Sequence, residues 1–259
     1  MSGALRRLSD WGPAALVFVL GIAAWEGLTR GLGVEEFLLP PLSSILETLR
    51  DNWGTIWDAG LFTLKEALGG FAIGSAAAVL AALALARWRG LGRAVMPYAI
   101  AANAIPIIAF APITNNWFGL LSPASKIAIA GVLVFFPVMV NTLRGLTSVR
   151  PAQIELMRSY AAGELDIFRR VRLPNALPYL FSGLKVATVL AMIGAIVGDY
   201  FGGSQDALGI LIRRSAGIFD FKLAWAAIVV ASVLGMLFYG VVATVERLTM
   251  RWLPSARTD

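Results

Sequence analysis

The chain has 259 residues, of which 58% are hydrophobic and only 15% charged, with a mean hydropathy of +0.74; a protein surrounded by water carries about 25% charged residues, so its solvent is expected to be the bilayer. Cysteine and histidine are both absent, which removes disulfides, thiol nucleophiles, Cys/His metal sites and imidazole acid–base chemistry together. The net charge of +6 does not mark a nucleic-acid surface, because the basic residues fall at the ends of apolar runs and not along one face.

A helix that crosses a bilayer needs about 20 mostly apolar residues. The first candidate is Trp11–Leu28, the weakest, with Glu26 near its end. Arg6-Arg7 ahead of it also fits a secretory signal, although Gly21-Ile22-Ala23 is only a loose match to a cleavage site. Thr29–Gly60 follows as a non-membrane segment: Leu39-Pro40-Pro41, then Ser43–Trp53, where Ser43 or Ser44 is placed to cap a short amphipathic helix. Leu68–Ala86 is a clear span, with Gly69, Gly70 and Gly74 allowing a neighbouring helix close approach. Ala94–Ile113 is another, interrupted by Pro97, Pro106 and Pro112 and carrying Asn103 at mid-depth. Lys126–Leu143 contributes Pro137 and Asn141; Leu180–Val197 has Lys185 near one end; Leu223–Val245 is without charge. The expected fold is therefore an all-α integral membrane protein of six transmembrane helices, five if the first is discounted.

Most of the 22 Lys and Arg residues fall on one side if the N-terminus is inside. Arg6, Arg7, Arg87, Arg89 and Arg93 lie there, as do Arg144, Arg150, Arg158, Arg169, Arg170 and Arg172, and the tail adds Arg247, Arg251 and Arg257. Positive residues collect in the cytoplasm, so both termini are expected inside. Lys65, Lys126 and most of the acids then fall outside. Asp199, near the outer end of its helix, reads as a charge within reach of water.

Between two anchored spans, Thr147–Pro178 is too polar to cross a membrane and too long for an idle turn. Ala152–Ala162 suits a helix, Gly163 permits the left-handed backbone that ends one, and Leu165–Val171 suits a second, stopped by Leu173-Pro174. On residue type alone Glu155 reads as a solvated charge paired with Arg158, and Arg169 and Arg170 as ordinary inside positives.

This segment resembles the permease subunits of binding-protein-dependent ABC importers, whose signature is E-A-A, three residues, G, nine residues, I-x-L-P. Glu155, Ala161, Val171 and Leu173-Pro174 fall in register, while Leu156 and Met157 replace the two alanines and Ala161 replaces the glycine, leaving Gly163 as the expected turn glycine. Thr63–Phe71, Ala104–Gly119 with Trp117-Phe118-Gly119, Lys126–Gly145, Asp199 and Ala207-Leu208-Gly209 also resemble the family, nearest its nitrate, sulfonate, taurine and pyrimidine-precursor branch; Asn115 and Asn116 depart from the apolar pair usual there. The resemblance implies a type I importer transmembrane domain. It divides into an anchor and outer segment (1–60), a permease core (61–252) with the coupling loop 147–178, and a tail (253–259). It further implies two permease copies, as a homodimer, in the bacterial inner membrane; ABC ATPase subunits; and a periplasmic or lipid-anchored solute-binding protein. ATP and magnesium would be bound by the ATPase, leaving this chain no cofactor of its own. Glu155, Arg158, Ala161, Gly163, Val171, Leu173 and Pro174 are the expected coupling residues. Asn103, Pro106, Asn115, Asn116, Asn141 and Asp199 are the polar or helix-breaking positions expected along a solute path.

No G-x-x-x-x-G-K-[ST] phosphate loop occurs in the chain. An intramembrane protease would want a Ser/His pair or an H-E-x-x-H zinc site, and a secondary transporter two repeated halves with buried coupling charges; none of these patterns is visible in the sequence.

Overall fold

The computed structural model describes residues 3–102, 106 and 109–250, with the side chains of 3–11, 14, 89 and 93 outside the description. The only regular secondary structure among the described residues is helix, without a strand. In chain order the helices are α1 (Gly3–Gly31), α2 (Leu42–Asp51), α3 (Trp53–Arg87), α4 (Arg89–Ala102), α5 (Phe110–Phe118), α6 (Pro123–Thr147), α7 (Pro151–Ser159), α8 (Glu164–Gly202), α9 (Leu208–Gly217) and α10 (Phe221–Thr249). Four of them, α3, α6, α8 and α10, are long and apolar enough to cross a membrane.

The other two expected crossings lie in α1 and in the α4–α5 stretch. The 29-residue α1 contains the expected Trp11–Leu28. Ala94–Ile113 is not one helix: α4 closes at Ala102 and α5 opens at Phe110, with Pro106 non-helical between them. A proline removes a helical N–H and clashes with the carbonyl four residues back. Pro97 is carried inside α4, whereas Pro112 sits in the first turn of α5, where its missing N–H has no helical acceptor to lose. Asn103 lies outside the described residues.

The chain divides into two compact units, Met1–Asp58 with Leu211–Val230, and Ala59–Ile210 with Ala231–Asp259. In the first, Trp25 meets the Trp225 ring edge-on at 5.2 Å and donates its indole N–H to the Pro40 carbonyl at 3.1 Å. Glu26 accepts from Arg30 and from both the backbone and hydroxyl of Ser43. Ser43 is thus spent on Glu26, and α2 begins at Leu42 behind Pro41 with no side-chain cap, unlike the expected Ser43 or Ser44 cap. Lys222 pairs with Glu36, and its ammonium holds that carboxyl below the ordinary glutamate range.

The second unit is built on close helix crossings. A Cβ at Gly74 would stand 2.5 Å from the Gly131 carbonyl oxygen, and one at Gly70 2.4 Å from the Ala130 Cβ, so α3 and α6 touch backbone to backbone. Gly194 brings α8 onto Ala130 in the same way. Small residues at such crossings let dispersion contacts substitute for the hydrophobic drive that lipid does not supply. Phe71 on α3 meets the Phe238 ring at 4.9 Å, and Lys185 pairs with Glu246 at 2.7 Å.

Candidate coupling element and solute path

The α7 helix ends in a compact turn. The Ala162 N–H reaches back to the Met157 carbonyl at 3.1 Å and the Ala161 N–H to that of Arg158 at 2.9 Å, closing the helix as a Schellman motif. The residue that must turn left-handed is Ala161, at φ 56°. Gly163 does not take that role: its φ is −72°, and it precedes the first turn of α8. The signature's glycine position and the left-handed position therefore coincide at Ala161.

Across the turn Arg158 pairs with Glu164 at 3.0 Å, and Arg172 approaches the same carboxylate at 3.8 Å. Arg158 is thus drawn away from Glu155, which stands exposed on α7 and makes no ion pair among the described residues. No side chain of α7 is buried. Leu156 is 57% exposed, Tyr160 77% and Leu165 61%, so uncovered apolar side chains project among the charges. A groove of about 460 Å³ runs between α7 and α8, lined by Gln153, Met157, Arg170, Val171, Pro174 and Tyr179.

Leu173-Pro174 does not stop a helix. The chain continues from Glu164 to Gly202, and over Phe168–Arg172 the turn widens to a π-helix. A wide turn just ahead of Pro174 removes the need for the N–H the proline lacks and gives its ring room. The second half of the expected loop is accordingly the first part of the long α8. Its foot is fixed by Asn175, a residue without a signal in the sequence pattern, which donates to the Gly145 carbonyl at 2.8 Å and to Ser148 at 3.2 Å. Gly145 is pressed against α8: a Cβ there would lie 2.8 Å from the Ala176 Cα and 2.9 Å from the Tyr179 Cβ.

The expected path residues are not gathered in one place. Asn116 and Pro106 are exposed. Asn141 donates to its own helix at the Pro137 carbonyl, 2.8 Å away, and lies against Gly183 of α8. Asn115 is buried, its amide oxygen accepting from Ser125 and, at 3.4 Å, from the Lys126 ammonium. Asp199, expected near water, is fully buried, and Lys126, expected at the outer end of its span, is 1% exposed. An open cavity of about 790 Å³ lies between α3 and α6, bordered by Ile73, Ala77, Phe110, Ile127, Phe135 and Phe136; none of the described path candidates lines it.

The profile of the binding-protein-dependent transport system inner membrane component matches residues 70–251. The chain belongs to this family. The permease is 33% identical over 238 residues to the formylaminopyrimidine transport permease protein ThiX of Halalkalibacterium halodurans, covering 92% of this chain and 94% of that one. It is 32% identical over 242 residues to the riboflavin transport system permease protein RibX of Chloroflexus aurantiacus, covering 93% of this chain and 89% of the other. Its fold is that of a chain of the MetNI methionine ABC transporter in an inward-facing form, with a TM-score of 0.57 at 20% identity over 81% of the permease and 98% of that chain. The protein is thus a multi-pass membrane permease of the type I ABC importer fold, and the family's work is transport, not catalysis.

Proposed function

We propose that separate ATPase subunits, which bind the ATP and magnesium, drive this permease by docking on α7 and the adjoining end of α8. The observation that carries the reading is α7 itself: a helix with no buried side chain, in signature register, presenting Leu156 and Tyr160 uncovered beside Glu155. Apolar side chains ringed by charge suit a partner surface, since they gain from being covered while the rim keeps the element soluble. The chain's lack of a phosphate loop is in keeping with ATP bound by the partner. The bias in Lys and Arg supports a reading in which α7 and both termini lie on the cytoplasmic side of a bacterial inner membrane, and the outer face receives solute from a periplasmic or lipid-anchored binding protein. The permease works as a homodimer whose second copy completes the path, with the exposed Pro106 and Asn116 the positions that face it.

The solute is a small heteroaromatic compound of the pyrimidine-precursor kind. Formylaminopyrimidine and riboflavin, the compounds for which the two relatives are named, share flat nitrogen heterocycles, and the apolar cavity beside α3 and α6 offers aromatic and aliphatic walls to such a ring. A chain without native cysteine permits a direct test of docking. Cysteines at Leu156 and Tyr160 should cross-link to the co-purified ATPase, and Tyr160→Asp should leave the permease inserted with its ATPase lost or uncoupled. Cross-links that form from other exposed sites and never from these two would show that the ATPase sits elsewhere.

A further inference from the structure

Phe135 and Phe136 stand side by side at the middle of α6, both half-buried, with their rings 5.1 Å apart and at 87° to each other, edge to face. The cavity of about 790 Å³ on the side of Ala124 and Ile127 is lined by both rings. A second cavity of about 560 Å³, on the side of Met139, is lined by both rings as well. The two cavities also share Ala102 of α4, so they meet at the aromatic pair. The same order repeats along α3, where Ile73 and Ala77 border the first cavity and Ala81 and Ala84 the second. Ala77 and Ala84 lie two turns apart on one face of α3, roughly 10 Å along its axis. Next in sequence to the pair is Pro137, whose missing N–H leaves the Leu133 carbonyl without its helical donor, so α6 lacks a rung there.

Two cavities in series, each of a size that holds a small organic molecule, make a route with one narrow step where they meet. An edge-to-face pair has the edge of one ring resting on the face of the other. A flat heterocycle arriving from either side takes the place of one partner, so parting the pair loses an aromatic contact and regains one. An aliphatic molecule of the same size regains none. The missing rung at Pro137 makes α6 easiest to bend beside the pair, where the rings have to part. We propose that Phe135 and Phe136 are specificity-determining residues of the solute path. They form a step at mid-helix that passes flat aromatic solutes from the first cavity to the second ahead of non-aromatic molecules of the same charge. The proposal deepens, and rests on, the reading of the first cavity as a solute site.

The chain has no cysteine of its own, and Ala77 and Ala84 are both exposed, so Ala77→Cys reports the first cavity and Ala84→Cys the second. With the permease expressed alongside its partners in cells, two membrane-impermeant sulfonate anions are added outside. One is p-chloromercuribenzenesulfonate, a flat ring; the other is sulfonatoethyl methanethiosulfonate, which has no ring. The ratio of their rates at Ala77→Cys corrects for intrinsic reactivity. At Ala84→Cys the ratio should favour the ring by a further threefold to tenfold or so, about the factor that one aromatic contact gives. Phe135→Leu and Phe136→Leu, which keep the bulk and lose the ring, should each bring that ratio down towards the one at Ala77→Cys, and Phe136→Tyr should retain it. A merely structural role would shift both reagents together and leave the ratio unchanged. Equal ratios at the two sites in the parent, a ratio that neither leucine substitution lowers, or an Ala84→Cys closed to both reagents overturns the proposal while leaving the first cavity a solute site. Ala77→Cys that reacts from neither face of the membrane, tested also in inverted vesicles, shows a cavity filled by lipid, and the solute reading then falls with the proposal. Reaction of Ala77→Cys in inverted vesicles alone reverses the orientation; Ala84→Cys is then the nearer site, and the proposal stands only if the ratio rises at Ala77→Cys instead.

Discussion

Ala161 holds a backbone conformation that costs an L-residue with a Cβ roughly 1 kcal/mol and costs glycine almost nothing. Ala161→Gly should therefore stabilise the turn after α7 by about 1 kcal/mol, and Ala161→Val should weaken it further, because a branched Cβ fits the left-handed region worst. Limited proteolysis of the turn reads both: slower cleavage than the parent for glycine and faster for valine, with the reverse order showing that the turn is not held at φ 56°. The register of the signature was legible from spacing alone. The choice of Ala161 over Gly163 was not, because it depends on which carbonyl the Ala162 N–H closes upon. Asp199 was misread for a similar reason. Its depth along α8 suggested water, but its partner Thr63 lies 136 residues away in sequence, and nothing local announces that contact.

At the scale of elements, the crossing of α6 and α8 behind the turn after α7 depends on Gly145. A valine there would drive its Cβ into Ala176 and Tyr179, an overpacking that costs typically about 1–3 kcal/mol. Gly145→Val should insert normally yet lose the cross-links expected from Leu156→Cys, since the foot of α8 and the Asn175 contact shift with it; full cross-linking in this variant would show that α7 is positioned without the crossing. The apolar runs announced α3, α6, α8 and α10 because length and composition decide a span before any neighbour is considered. The prolines were equally visible, and their effects were not. Pro106 and Pro112 lie where a helix actually breaks into α4 and α5, whereas Pro174, read as a stop, is absorbed by the π turn ahead of it. Whether a proline ends a helix depends on whether the preceding turn can widen, and that is settled by packing around it.

For the whole molecule, orientation is the assertion with the widest reach. Gly163 and Asp51 are both exposed, and the proposed orientation expects them on opposite sides of the membrane. A cysteine at Gly163 should be labelled only from the cytoplasm and one at Asp51 only from outside; labelling of both from one face would reverse or collapse the topology. Composition alone had already moved the chain out of water, and the register of Glu155 with Leu173-Pro174 had pointed to its family, but the burial of Lys126 needed Asn115 and the Leu120 carbonyl to be brought over it. One consequence concerns distance. From Glu164 beside the turn after α7 to Gly202 beside Asp199, α8 is one continuous helix of 39 residues with its π turn near the foot, roughly 58 Å at 1.5 Å per residue. Tilting such a rod by about 5° around its middle carries each end through roughly 2.5 Å, in opposite directions. A nudge at the foot thus arrives at the far end at once and with its sign reversed, and no chain of rearranging side chains is needed in between.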